Sequence, residues 1–511
     1  MKNEKMPNSS RRIAKNVIYL YFRQILILLV SLYTVRVTLN TLGASDYGIY
    51  DLIAGIVVMF SFINGAMANG TQRFLNFYLG KNDEERANDS YSASIIIHLS
   101  IAIIFFIAAE TVGLWFVCNK LNIPFEHHKA AFIVYQFSIF TTIFSIMRVP
   151  FNALIIAYEK MNFFAMLGII EALLKLGLVF VLQVFSVDKL ILYGFLQSLV
   201  SILLFLIFKF YCSANFKVAH FKKIDDRSFV RKQLSFSAWN LFGAVANVSN
   251  AQGCNVVLNV HTSVLVNAAM GIANQVSAAL CSFLTNMQTA FNPQIVKNYA
   301  KENQDEFHKL VFTNSKAAFF LITYIAVPLI INIDFVLSVW LKNIPDYSVH
   351  FVILIIIWAL IDAWNGPFVA AISATGNIRK YQLIVSCMIF ANLPLTILVL
   401  ALRFPPESIL VIRILENFIA TLWRIFFVGK RIKLPVRKFF FEVLVRTVFV
   451  LIISFTAIYF LGALVLNPIT KFFVTGFASV ISTSLLIFLA GTNAEERKNI
   501  KKFITAKIGA K

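Results

Sequence analysis

Apolar runs long enough to cross a bilayer recur from one end of the chain to the other. A hydrocarbon core of ~30 Å needs about 20 apolar residues per helix. Fourteen windows meet that length: 17–39, 47–70, 92–117, 130–157, 162–185, 189–211, 234–260, 263–290, 311–340, 347–374, 380–402, 408–428, 441–465 and 469–491. These runs far exceed the ~10-residue alternating segments of a membrane β-barrel. A helix also satisfies its backbone polar groups internally, as the hydrocarbon requires. The pattern predicts an all-α polytopic membrane protein of about 14 transmembrane helices, with both termini on one side.

Composition agrees and removes other classes. Of 511 residues 59% are apolar and 14% charged, against roughly 45–50% and ~25% in soluble domains. Mean hydropathy is +0.76. A soluble enzyme, a disordered chain and a disulfide-stapled module are excluded. The five cysteines form no CxxC and no Cys/His cluster, so neither a metal nor a cofactor is expected.

The net charge of +21 would suggest nucleic acid in a soluble protein. Its distribution says otherwise. On the side shared by the termini the loops carry 31 of the 46 Lys and Arg, seven of them between 209 and 232. The opposite side carries only Lys120, Lys129, Lys189, Lys342, Arg403 and Lys471. By the positive-inside rule the termini are cytoplasmic. The charge then marks orientation and affinity for anionic membrane lipid, and no nucleic-acid partner is expected. Arg23 and the length of the first apolar stretch argue against a cleaved signal peptide.

The chain repeats itself. Pro150-Phe151-Asn152-Ala153-Leu154-Ile155-Ile156-Ala157 and Pro367-Phe368-Val369-Ala370-Ala371-Ile372-Ser373-Ala374 both read P-F-x-A-x-I-x-A and close the fourth and tenth spans. The loop Asn82-Asp83-Glu84-Glu85 likewise falls on Asn303-Gln304-Asp305-Glu306, and Tyr47-Gly48-Ile49 on Met270-Gly271-Ile272. Six spans per copy keep the copies parallel about the membrane normal. The expected domains are a six-helix lobe at 1–211, a basic cytoplasmic linker at 212–233, a second six-helix lobe at 234–430, and two additional helices with a basic tail at 431–511. Paired lobes with short loops suit a secondary transporter whose substrate site lies between them.

Charges within spans are costly and hence candidate functional groups. Arg36, Arg73, Lys316, Arg413, Arg424 and Arg446 lie near span ends, where snorkelling accounts for them. Arg36 and Asp51, across a short loop, are expected as an ion pair or an outer gate. Deeper are Arg23, Arg148, Glu171 and Lys175 in the first lobe, and Asp362 and Glu416 in the second. Glu171 and Lys175 sit at i and i+4 and can pair. A cationic patch in an apolar wall suits a phosphate or diphosphate, to which arginine offers matched donors. The other reading is that these charges pair across lobes to hold one state. Span 7 carries Asn240, Asn247 and Asn255, and span 8 carries Asn274. Such amides either join helices or line a wet cavity suited to sugar hydroxyls. His98 is single and reads as a helix-packing residue.

After a basic N-terminus and an Arg-bearing first span, the second opens Leu42-Gly43-Ala44-Ser45-Asp46-Tyr47-Gly48-Ile49-Tyr50. With the acidic loop that follows span 2, this resembles the polysaccharide transporter branch (O-antigen and capsule repeat-unit flippases) of the multidrug/oligosaccharidyl-lipid/polysaccharide exporter superfamily. The resemblance implies a bacterial inner-membrane flippase, not an enzyme, for undecaprenyl-diphosphate-linked oligosaccharide. It implies alternating access coupled to an ion gradient, and glycan polymerase and chain-length machinery as partners. Arg23, Arg148 and Lys175 would hold the diphosphate, and Asn240, Asn247, Asn255 and Asn274 the sugars. Glu171, Asp362 or Glu416 would carry the coupling ion. The two terminal helices would flank the lipid tail, as in the lipid II branch. A multidrug exporter, a lipid II flippase and a membrane-embedded polymerase or acyltransferase stay open as alternatives.

Overall fold

The computed structural model describes residues 8–58, 61–115, 117, 125–185, 188–224, 226–262, 264–341, 344–493 and 496–498. They are helical, with no strand among the described residues. The helices are α1 Asn8–Val58, α2 Ser61–Gly80, α3 Glu84–Gly113, α4 His128–Ala157, α5 Met161–Val184, α6 Lys189–Asn215, α7 Arg227–His261 and α8 Val264–Ala300. There follow α9 Gln304–Ile331, α10 Ile333–Trp340, α11 Ser348–Asp362, α12 Asn365–Ala374, α13 Arg379–Ala401, α14 Ser408–Arg431, α15 Val436–Ala463 and α16 Pro468–Gly491. Among the described residues nine helical stretches are long and apolar enough to cross a membrane, α11 and α12 counting as one. Within the described residues, 15–245 form one compact unit, and 8–14 with 246–498 another.

One expectation fails at the N-terminus. Spans 17–39 and 47–70 were to be joined by a loop, yet α1 runs unbroken through residues 40–46. That stretch holds one glycine, Gly43, and no proline. A helical glycine costs only about 1 kcal/mol against alanine, which leaves the helix intact. At 51 residues α1 rises roughly 75 Å. Arg36 and Asp51 therefore share one helix, separated by roughly 22 Å of rise, and do not face each other across a turn. Their side chains lie outside the described residues.

The internal repeat, by contrast, is built into the backbone. Asn82 (φ 56°) and Glu302 (φ 59°) both take the left-handed conformation that ends a helix. The next residue then closes the turn by the same bond in each copy. Asp83 N–H donates to Tyr78 O at 3.0 Å, and Asn303 N–H to Asn298 O at 3.1 Å. Asp83 and Asn303 also cap the following helices, their side chains accepting from Arg86 N and Glu306 N. These caps satisfy amides that a helix start leaves unpartnered. Both P-F-x-A-x-I-x-A motifs end their helix on their last alanine, Ala157 of α4 and Ala374 of α12. They differ inside. Pro150 lies within unbroken α4, whereas Pro367 follows a two-residue break between α11 and α12. A proline ring opposes the carbonyl four residues back, which for Pro367 is that of Ala363, inside the break.

The basic stretch after α6 is strapped to α3. Asn88 Nδ2 donates to Val218 O (3.0 Å) and His220 O (2.7 Å), and Lys222 N–H donates to Ser92 Oγ (3.0 Å). Arg86 reaches Asp226 at 3.3 Å. The Phe229 N–H, followed by Arg86, holds the Asp226 carboxyl below the usual carboxylate range. Gln233 of α7 is buried against the same helix, donating to Ser94 Oγ at 2.5 Å. The described residues of the expected linker, 212–224 and 226–233, thus lie within the first unit and bond to α3.

Candidate functional site

In the first unit, three helices bring the deep charges together. Glu171 lies ten residues into α5, roughly 15 Å from its end and so near mid-bilayer. Its two carboxylate oxygens are both engaged. Oε2 accepts from Arg148 Nη1 of α4 at 3.0 Å, and Oε1 from Lys175 Nζ, one turn on, at 2.8 Å. Arg23 of α1 joins from a third helix. Its guanidinium carbon stands 4.5 Å above the Phe164 ring, within electrostatic reach of Glu171. Gly168 makes that approach possible, because a Cβ there would lie 2.8 Å from Arg23 Cδ. Arg148 also stands 5.4 Å over the Phe208 ring. Aromatic faces attract such cations, more strongly where water is scarce.

Three cations therefore gather about one carboxylate, and the formal charges of these four side chains sum to +2. Sequence spacing anticipated the Glu171–Lys175 pair. It did not anticipate Arg148–Glu171, since those residues are on different helices. Both groups of the pair are partly exposed, at 23% and 27%. The site is ordered without being sealed.

The second unit holds its polar groups differently. Asp362, at the end of α11, accepts from Asn365 Nδ2 at 3.0 Å, and the same nitrogen donates to Asn417 Oδ1 at 3.0 Å. Thr421 Oγ1 donates to Asn365 Oδ1 at 2.9 Å. Glu416 accepts from Asn392 Nδ2 at 3.1 Å. Neither carboxylate makes an ion pair among the described residues. Beside them Asn250, Asn255, Asn274, Asn392 and Arg413 line a cavity of about 20 Å³, enough for about one water. Of the amides expected on the substrate, Asn255 and Asn274 are brought together here. Asn240 belongs to the first unit and Asn247 to the second.

Snorkelling does not explain every span-end cation. Lys316 is 4% exposed and meets Glu496 Oε2 at 2.6 Å. Arg424 is buried, its Nε donating to Tyr381 Oη at 3.1 Å. Arg413 sits 4.4 Å over the Trp358 ring. Their partners come from distant sequence, which span position cannot reveal. His98 is buried in α3, its Nδ1 2.7 Å from Ser94 O, as a packing residue would be. Among the described residues no group of three His, Cys, Asp or Glu could hold a metal.

Known proteins give the arrangement its context. Residues 13–263 match the family described as polysaccharide biosynthesis protein. No curated protein matches the chain. The fold resembles an outward-facing multidrug resistance MATE family transporter of the MOP superfamily at TM-score 0.71 and 12% identity, covering 84% of this chain and 99% of that one. It also resembles a MOP superfamily transporter from Pyrococcus furiosus at TM-score 0.67 and 12% identity, covering 85% and 100%. A MATE structure in complex with MaD3S gives 0.69 at 12% identity over 85% and 100%. The first half of the chain thus carries the pattern of that polysaccharide biosynthesis family, and the fold over most of the chain is the one seen in these transporters.

Proposed function

We propose that the protein is a flippase. It moves a polyprenyl-diphosphate-linked oligosaccharide, an O-antigen, capsule or exopolysaccharide repeat unit, from the cytoplasmic to the outer leaflet of a bacterial inner membrane by alternating access. The observation that carries this reading is the cluster of Arg23, Arg148 and Lys175 around Glu171. Cations gathered at bilayer depth are costly, and an anionic substrate arriving there lowers that cost. A diphosphate is such an anion, and guanidinium groups match its oxygens in pairs. Glu171 orders the cations and limits their repulsion while the site waits.

The glycan would meet the amides of Asn240, Asn247, Asn255 and Asn274. The cavity beside Asn255 and Asn274 must widen to admit a sugar. For the lipid tail, an apolar groove of about 400 Å³ runs between α14 and α15, lined by Trp364, Phe418, Ile425, Phe440, Phe449 and Ile452. Hydrocarbon is the natural occupant of such a surface at membrane depth.

The coupling ion, a proton or sodium, falls to Asp362 and Glu416, because Glu171 is already held by two cations. Asp362→Asn and Glu416→Gln are expected each to lower gradient-driven export at least tenfold and to leave binding of the lipid-linked substrate within about threefold. Transport with and without an imposed ion gradient checks this. Full gradient dependence in the double variant would remove the assignment.

The multidrug reading rests on the likeness to MATE transporters, and shared fold does not fix function. An organic cation would be repelled by the cluster in the first unit. The Pyrococcus transporter is itself described as having a binding pocket of reversed polarity that suggests a different function. Deleting the gene decides between the readings. Loss of surface polysaccharide, with lipid-linked repeat units retained on the cytoplasmic leaflet, is the expected result. Intact polysaccharide with raised drug sensitivity would favour the multidrug exporter.

A further inference from the structure

The second unit contains a larger cavity that the transport reading does not use. It measures about 670 Å³ and lies where the end of α9 and short α10 meet the turn between α15 and α16. Its walls carry charges of both signs, Asp334 on α10 and Lys471 on α16. No ion pair joins these two, and neither pairs elsewhere among the described residues. The positions follow from the local sequence. In α10 the apolar Ile333 and Leu337 are buried at i and i+4, which leaves Asp334 and Ser338 together on the cavity face. Lys471 is set by Asn467 and Pro468, which cap and start α16. Its stem lies over Gly462, where a Cβ would come within 3.2 Å of Lys471 Cε. Buried Asn332 closes the floor, donating to Thr475 Oγ1 at 2.8 Å.

The rim is of another character. Leu466 is 95% exposed, Leu464 81% and Val339 71%. Trp340 ends α10 beside them, 47% exposed. Bare aliphatic side chains with a tryptophan mark the boundary between hydrocarbon and headgroups. This end of the unit is also the one poor in Lys and Arg. The opposite end carries Lys301, Lys309, Arg379, Lys380, Lys430, Arg431 and Lys433. The cavity therefore opens toward the outer leaflet.

We propose that this cavity binds the headgroup of a zwitterionic phospholipid of the outer leaflet, phosphatidylethanolamine by its chemistry. Lys471 takes the phosphate and Asp334 the primary ammonium, while the acyl chains run down past Leu464 and Leu466. Opposite charges that face one space without closing on each other fit a ligand carrying both signs. An anionic lipid would satisfy Lys471 and leave Asp334 opposed to negative charge. A choline headgroup would forgo the hydrogen bonds that a primary ammonium gives a carboxylate.

The full-length protein, purified in detergent, is titrated with phosphatidylethanolamine, phosphatidylglycerol and phosphatidylcholine, and bound lipid is counted by native mass spectrometry. Wild type is expected to hold one phosphatidylethanolamine at least fivefold more tightly than either other lipid. Asp334→Asn should remove that preference by weakening phosphatidylethanolamine and strengthening phosphatidylglycerol binding. Lys471→Met should weaken both lipids. Ser338→Trp fills the cavity without touching either charge and should abolish the preference, which covers the case in which a charge variant fails to fold. Soluble phosphoethanolamine should not compete at equal concentration, because it lacks the chains the rim receives. Equal binding of the three lipids by wild type would overturn the proposal. So would an undiminished preference in all three variants, or full competition by soluble phosphoethanolamine. None of these outcomes bears on glycan export, so this inference and the flippase reading fail separately.

Discussion

Arg148→Ala is expected to abolish surface glycan while the protein still inserts at wild-type level. In the resting site the guanidinium already holds an anion. It donates to Glu171 at 3.0 Å, a charge-assisted hydrogen bond, and one such bond to a charged group is worth about 1.5–3 kcal/mol. Transferred to a diphosphate, that range is roughly ten- to 150-fold in affinity. Arg23→Ala should act in the same direction, because Arg23 approaches the cluster from a separate helix. A purely structural arginine would give the same first result, so a second variant separates the cases. If Arg148 serves only to neutralise Glu171, then Arg148→Ala with Glu171→Ala restores export. If it binds the substrate, the double variant stays inactive, and Arg148→Lys recovers part of the activity by returning charge without the paired donors. Surface polysaccharide, normalised to protein in the membrane, is the readout.

The second large effect concerns stability. Lys316 and Glu496 form an ion pair whose side chains are only 5% and 18% exposed. Glu496 also accepts from Asn493 N–H, and its own N–H donates to Asn493 Oδ1. This reciprocal cap fixes the turn that follows α16. Lys316→Met leaves the carboxylate without its countercharge in a nearly dry place. Breaking a buried pair in this way costs about 3–5 kcal/mol. Thermal unfolding in detergent should show a clear drop for Lys316→Met, and Lys316→Met with Glu496→Gln should recover most of it. An unchanged transition in the single variant would mean that water reaches the pair.

These two cases show where the sequence can and cannot be read. Local physics was legible. The acidic loop was seen to recur, although the helix caps put Asn303 opposite Asp83, one residue off the register its sequence suggests. The P-F-x-A-x-I-x-A motifs marked span ends at Ala157 and Ala374, and Glu171 with Lys175 was visible at i and i+4. In each case both partners lie within about one turn or one loop of each other. Long-range pairing was not legible. Arg148 finds Glu171 only because α4 and α5 pack, Lys316 finds Glu496 across 180 residues, and Arg424 finds Tyr381 across 43. Position within a span made Lys316 and Arg424 look like snorkelling cations, whereas packing buries them. The continuity of α1 was missed for the opposite reason. A polar interval at 40–46 reads as a loop, yet it holds too little glycine and no proline to stop a helix. Asp362 stood out as a deep carboxylate. Its fixing by Asn365, and that of Asn365 by Asn417 and Thr421, lies beside the two-residue break between α11 and α12, which span composition does not mark.

The most direct test of the account is transport itself. Purified protein in vesicles, given polyprenyl-diphosphate-linked oligosaccharide in one leaflet under an imposed ion gradient, is assayed for headgroup reaching the other leaflet. The account predicts transfer by wild type, loss of transfer in Arg23→Ala and Arg148→Ala, and inhibition by added soluble diphosphate. Transfer at an unchanged rate in both arginine variants would contradict it.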